Sequence, residues 1–261
     1  MTTTMTATTI TTATLMADGA AAPGLDGPAW DEWLDVAALH RLMSWLSPSF
    51  PVGAFSYSHG LEWAIEDGTV TSTPELTLWV ADILRHGAGR SDAILFAHAW
   101  DAAMCDDGAA LAEIAALAVA FQPSAERRLE SLSQGRAFLL ALRAAWPAPA
   151  LEHLLPFVDG EDGTAYPVAV ALAAAVHGVP RGAAINAYLH AFAANIISAG
   201  LRAVPLGQTD GQRIIAGLGP IVHEVVEAVK DRPLDALGGA VFRADIASMK
   251  HETQYTRLFR S

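Results

Sequence analysis

The sequence predicts an all-α fold, a single-core bundle of about eight to ten helices, and three observations carry that prediction. Ala and Leu dominate a hydrophobic content of 52%, with aromatics at 8%, and both are strong helix formers. Runs of Val, Ile and Thr in period-two alternation are missing beyond a Thr-rich N-terminal stretch. Apolar residues instead recur at three- and four-residue spacing between breaks rich in Gly and Pro. A chain of 261 residues buries roughly 70–75% of its unfolded surface.

Residues 1–30 mix Thr, Ala, Gly and Pro without a helical period and read as a disordered lead. A helical domain is expected over 31–247 and a C-terminal docking tail over 248–261. Asp35–Leu46 forms the first helix, which Ser47-Pro48-Ser49-Phe50-Pro51-Val52-Gly53 ends, because two prolines and a glycine favour an extended, turned segment. Helix resumes near Ser56 and stops at Asp67-Gly68. Thr73-Pro74-Glu75 reads as a helix start with Thr as the cap, and that helix runs to about His86. A break over Gly87–Ser91 and a helix over Asp92–Ala103 complete an antiparallel hairpin.

Asp106-Asp107-Gly108 turns the chain into a helix over Ala109–Phe121. Pro123 opens the next helix, Ser124 to about Trp146, with Arg127, Arg128, Gln134 and Arg136 toward a more polar side. Pro147–Thr164, rich in proline, glycine and acids, is expected to be a loop with at most one helical turn. Tyr166-Pro167 opens a helix to His177, closed by Gly178-Val179-Pro180. Between Arg181 and Arg202 there is no charge. Asn186, His190, Asn195, Ser198 and Arg202 fall near one line of a helix that is apolar elsewhere, so this segment is read as the buried central helix. His190 is then a hydrogen-bonded core histidine. Pro205 stops the helix, and Gly207-Gln208-Thr209-Asp210-Gly211-Gln212 makes a polar loop. Arg213–Lys230 is helical with a kink at Gly219-Pro220, and Pro233–Ala247 holds one more short helix or turn.

The formal charge is −12, from 16 basic and 28 acidic residues, and no basic patch tracks phosphate, so nucleic acid is not an expected partner. One cysteine, Cys105, excludes an intrachain disulfide, fits a reducing compartment and removes cysteine-cluster metal sites. The lead lacks the basic start of a signal peptide. The apolar run Val168–Val176 is too short to span a bilayer, and Ala183–Leu201 carries two Asn and a His. No membrane is expected, and the chain is read as cytoplasmic.

Catalytic motifs are absent: there is no P-loop, no dinucleotide fingerprint and no nucleophile elbow. His223-Glu224-Val225-Val226-Glu227 lacks the second His of a zinc helix. His59 and Glu62 stand at i and i+3, a spacing helical metal sites use, but one pair supplies only two ligands, so they are weak metal candidates beside a helix-start role. No tightly bound cofactor is expected.

Two stretches point outward instead. In the crossing Leu46–Glu62, Pro48 and Pro51 stiffen the chain, and Phe50, Phe55 and Tyr57 sit beside Gly53 and Gly60, where backbone can approach backbone. The C-terminus interleaves Met249, Tyr255, Leu258 and Phe259 with Lys250, Arg257 and Arg260, the composition of an interface anchor.

"SPSFPVGAFSYSHGLE", "VPLGQTDGQ" and "MKHETQYTRLFRS", in this order and over roughly 38–261, resemble the urease accessory protein UreF family. The resemblance implies a non-enzymatic all-α adaptor that dimerises, binds UreD (also called UreH), recruits the GTPase UreG and supports nickel delivery to apo-urease. Nickel is then handled by the complex rather than held tightly by this chain. Carried onto this sequence, the tail residues Lys250, His251, Glu252, Thr253, Gln254 and Tyr255, with Arg257, Leu258, Phe259 and Arg260, face a partner. Pro205, Gly207, Gln208, Thr209, Asp210 and Gln212 shape a central dimer or partner surface, and Pro48, Phe50, Pro51, Gly53, Tyr57 and Glu62 build a core-to-partner crossing. Two alternatives stand beside this reading: a GTPase activator that supplies Arg127, Arg128, Arg257 or Arg260 to UreG, and a direct nickel carrier.

Overall fold

The computed structural model describes residues 35–261, so the lead expected over 1–30 lies outside the described residues. Among the described residues there are eleven α-helices, two short 3-10 turns and no strand. The first six helices are α1 (Val36–Trp45), α2 (Leu61–Glu66), α3 (Thr73–His86), α4 (Ala88–Met104), α5 (Gly108–Ala120) and α6 (Ala125–Ala145). They are followed by α7 (Pro149–Val158), α8 (Tyr166–Val176), α9 (Arg181–Ala203), α10 (Gln208–Val229) and α11 (Phe242–His251). The 3-10 turns cover Ala54–Ser56 and Leu234–Ala236.

The helix at the centre is α8, and this corrects the expectation for α9. Every residue from Pro167 to Ala175 is buried; α4, α5, α6, α7 and α9 pack around it. Its small Ala and Val side chains let neighbouring axes come close. At Gly135 of α6 an added Cβ would lie 2.0 Å from the carbonyl oxygen of Thr164, at the entry to α8. By contrast α9 buries Ile185, Tyr188, Leu189, Ile196 and Ile197 but exposes Asn186, His190, Ser198 and Arg202. The polar line is therefore the outer face of α9, and His190 is not a core histidine. Among the described residues α9 alone has the length and hydropathy of a membrane span, and half of that window is buried in the bundle.

Other boundaries shift for local reasons. The chain does not stay helical from Ser56 to Ile65: His59 and Gly60 take positive φ (62° and 74°), which separates the 3-10 turn from α2. The cap of α3 is Ser72 rather than Thr73, and the Glu75 carboxylate accepts from the amide and hydroxyl of Thr71 and the hydroxyl of Ser72. Between α3 and α4 only Gly87 breaks the helix. A Cβ on Gly89 would sit 2.8 Å from the Cα of Leu84, so the corner is tight because glycine permits it.

The stretch expected as a loop contains α7, with Pro149 in its first turn and Leu151, Leu154, Leu155 and Val158 buried on one face. Residues Gln208–Gln212 form the first turn of α10, where the Asp210 carboxylate accepts from the amide of Gly207 at 3.1 Å; α10 then runs unbroken through Pro220. In α6 the polar side faces inward, with Glu126, Arg127, Glu130 and Gln134 all buried. Only Arg128 and Arg136 of the expected polar side face outward.

The α6–α8 approach gives a direct test. Gly135→Ala should destabilise the fold by about 2 kcal/mol or more through overpacking. Gly217→Ala, at a helical position with nothing within 4 Å of the new Cβ, should gain up to about 1 kcal/mol. Urea denaturation of both variants checks the contrast.

Candidate partner-docking site

The crossing and the tail, far apart in sequence, form one surface. The crossing leaves α1 at Leu46 and buries Phe50 against Phe138 and Trp146, with ring centroids 5.3 and 6.0 Å away. Pro48 and Pro51 stay exposed. Gly53 turns the chain at φ 71° with open space around it, so conformation rather than close packing requires glycine there. Gly60 is the true close approach: a Cβ would lie 2.6 Å from the amide nitrogen of Ser248 on α11. Helix α11 thus crosses the boundary expected at 247/248 and leans directly on the start of α2.

The tail is not a free end. Glu62, in the first turn of α2, accepts from the amides of Leu258 (2.6 Å) and Phe259 (2.9 Å), and its Oε2 lies 3.0 Å from His251 Nε2. The other ring nitrogen of the fully buried His251 faces Glu126 at 2.6 Å, and Glu126 also accepts from Arg257 at 2.7 Å. Glu252 accepts from the amide of Ala125 at 2.9 Å, placing negative charge at the N-terminus of α6. The last residues are laced to the crossing by the amide of Arg260 donating to Ser56 and the amide of Ser58 donating to the carbonyl of Ser261.

Beneath this surface Arg127 and Glu130 form a buried ion pair. Glu130 also accepts from Gln134 (3.0 Å) and the hydroxyl of Ser261 (2.7 Å), with His59 Nδ1 3.0 Å away. Burial opposes ionisation of Glu130, but Arg127 above all, then His59 and Ser261, hold its carboxyl well below the usual range. Burial first, and the Arg127 charge second, push His59 down to about 4, so its ring is neutral near pH 7. The two weak metal candidates are therefore engaged elsewhere, His59 in this buried cluster and Glu62 on the tail. Among the described residues no three His, Cys, Asp or Glu side chains are grouped to hold an ion.

What remains outward is specific. Tyr255 is fully exposed and Leu258 is 67% exposed, between the anchors at His251 and Phe259. Phe55 stands exposed on the crossing. The Arg202 guanidinium lies 4.9 Å from its ring and 4.4 Å from the ring of the buried Phe259. Lys250 covers Trp63 at 5.4 Å. Thr253 and Gln254 bond back to the carbonyls of Lys250 and Thr256. Of the tail residues expected to face a partner, His251 and Phe259 are turned inward. The loop after α9 is a separate feature: Pro205, Gly207, Gln208, Thr209 and Gln212 are exposed, and its link to the tail surface runs through Arg202, three residues before Pro205.

Of the four candidate arginines, Arg127 is sealed in the core, which removes it as a group that could enter another protein's nucleotide site. Arg128 pairs with Asp162 and Arg257 with Glu126; Arg260 is exposed. Sequence reasoning missed Glu126 and Glu130. The available signal was that Arg127, Ser131, Gln134, Phe138 and Leu142 lie on one helical line that becomes apolar, and therefore faces the core.

A family model described as UreF matches residues 70–219, which leaves the crossing and the tail outside the match. A urease accessory protein UreF of Rhodopseudomonas palustris (strain BisB5) is 54% identical over 225 residues, covering 86% of this chain and 92% of its own. One from Xanthobacter autotrophicus is 54% identical over 224 residues (86% and 91%). One from Bradyrhizobium sp. (strain ORS 278) is 49% identical over 227 residues (87% and 93%).

Glu62 is the latch of this surface. Glu62→Gln should cost about 1.5–3 kcal/mol, the range for hydrogen bonds to a charged group. Amide exchange at Leu258 and Phe259 should accelerate while exchange in α8 is unchanged, as hydrogen-exchange mass spectrometry can read.

Proposed function

The chain belongs to the UreF family of urease accessory proteins, and on that premise we propose that it acts as a non-enzymatic adaptor in urease maturation. In this reading it works in the cytoplasm as a homodimer. It binds UreD (UreH) through the tail and crossing, recruits UreG, and supports transfer of nickel, the cargo of the complex, to apo-urease. The observation that carries the reading is the tail. Tyr255 and Leu258 project from a tail whose backbone is fixed by Glu62 and Ser56 and whose Arg257 side chain is held by Glu126. Exposed apolar side chains on an ordered backbone, beside Lys250 and Arg260, can bind with little further ordering cost. Gly207, Gln208, Thr209 and Gln212, exposed where α10 begins, and the outer line of α9 supply a second face for the dimer.

A chain ending at Met249 would lose the buried His251, Phe259 and Ser261 and so confuse folding with docking. The double variant Tyr255→Ala, Leu258→Ala removes only exposed side chains. It should keep the melting temperature within about 2 °C, since exposed substitutions usually stay within about 0.5 kcal/mol. Co-purification with UreD should drop at least tenfold. Unaltered co-purification would sink the docking role.

A second reading, an arginine supplied to the GTPase, loses Arg127, which is sealed in the core; Arg128 and Arg257 sit in partly exposed ion pairs that open at little cost and stay candidates beside Arg260. Alanine at one of these three should then lower GTP turnover by UreG in the assembled complex by roughly 10³-fold or more, and equal turnover in all three variants removes this reading.

A further inference from the structure

Between the crossing, α6, α8 and α9 lies a cavity of about 220 Å³. For scale, a cavity of roughly 150 Å³ holds a benzene ring. Its exposed lining residues, Pro48, Phe55, His190 and Ser198, mark the mouth. Phe192, Tyr166 and Tyr188 form aromatic walls, with Tyr188 stacked on Phe192 at 6.4 Å and 5.6 Å from Tyr166. The buried lining residues His59, Asp92, Arg127 and Glu130 form the floor.

The charges on that floor are unequally satisfied. Arg127 is spent on Glu130, and Glu130 accepts from Arg127, Gln134 and Ser261. Asp92 accepts from the Tyr188 hydroxyl at 2.7 Å and forms no ion pair among the described residues. Burial drives its carboxyl up to about 6, an effect that the Tyr188 bond and the more distant Arg127 only partly offset. Ionised, it gives the floor one net negative charge. His59 Nε2 is also buried with no hydrogen-bond partner. His59 Nδ1 is engaged by Arg127 Nη1 and lies 3.0 Å from Glu130. A carboxylate beneath three aromatic rings forms a receptor for a cation with N–H donors. Among the described residues no three His, Cys, Asp or Glu side chains are grouped to hold a metal ion.

We propose that this cavity binds an organic cation, an alkyl-guanidinium or alkyl-ammonium group, seated on Asp92 and enclosed by Tyr166, Tyr188 and Phe192. Two sources offer that group: a free alkylamine or guanidine, and a Lys or Arg side chain of a partner protein. The shared chemistry is what the cavity reads.

The test titrates the full chain by calorimetry with n-butylguanidinium and with n-butylurea, which has the same shape without the charge. The guanidinium should bind at least about tenfold more tightly, the factor that one cation–aromatic contact and one charged hydrogen bond supply together. Asp92→Asn, isosteric and able to keep the Tyr188 bond, should erase that preference. Should that variant fold poorly, Phe192→Leu reports in its place, with weaker guanidinium binding and unchanged n-butylurea binding. Acetyl-Gly-Arg-Gly-amide separates the sources: binding comparable to n-butylguanidinium means that the mouth admits a backbone-borne side chain, and binding of n-butylguanidinium alone means a free cation. The proposal is overturned by equal affinity for the charged and neutral probes, by no binding of either up to about 10 mM, or by unchanged guanidinium affinity in the folded variants.

Discussion

Arg127 and Glu130 are both withdrawn from water, and two charges held this way survive only if their geometry is good and every remaining donor and acceptor is met. The supply of partners dictates much of the architecture. Gln134 comes from the next turn of α6, His59 from the crossing, and the Ser261 hydroxyl from the far end of the chain. Removing any one leaves a buried charge short of a partner, so α6, the crossing and the tail are held as a unit. Gly60 makes this possible, because only a residue without Cβ lets α11 lie against the start of α2. That contact brings His251 between Glu62 and Glu126.

The second constraint is α8. A helix buried on all sides must present small, apolar side chains everywhere, and after Tyr166 this one is Pro, Val, Ala and Leu alone. Alanine contributes little area per residue, so stability has to come from many close approaches rather than a few large side chains. Gly135, against the carbonyl of Thr164, is where such an approach is tightest. Of the few large rings, Trp45 and Phe138 are themselves fully buried, with Trp45 edge-on to both Phe138 and Trp146.

Much of this was legible in the sequence. Helix order and most of the proline and glycine stops follow from local chemistry that tertiary packing did not override. The tail and crossing stood out by composition, and Glu62 by its place in a first turn. What stayed hidden has one physical root: periodicity says which residues share a face, not which face points inward. The lines on α6 and α9 were both visible. Charge suggested that Arg127 and Gln134 face water, and polarity that Asn186 and His190 lie in a core, and both were inverted. The buried carboxylates reversed the usual rule because they bring their own cations, while α9 leaves a weakly polar line outside because α8 already fills the centre. Segment 147–164 was misjudged because its prolines were counted as breakers; Pro149 lies in a first turn, where the missing N–H costs nothing.

The folded-back tail bears on how an adaptor can bind firmly with few side chains. A disordered tail spends several kcal/mol of contact energy on its own ordering when it docks. Here that cost is met within the free chain: Glu62 holds the backbone at 258–259, Glu126 holds the His251 and Arg257 side chains, and Ser56 and Ser58 hold the backbone at 260–261. Tyr255 and Leu258 are left as side chains with few rotamers to lose. The same anchors bind the tail to Glu130, which also lines the floor of the cavity under Phe192. The tail and whatever fills that cavity therefore share one buried ion pair. A change in the position of Arg127 or Glu130 alters the free energy of both, and by thermodynamic linkage any preference of one for the other is reciprocal.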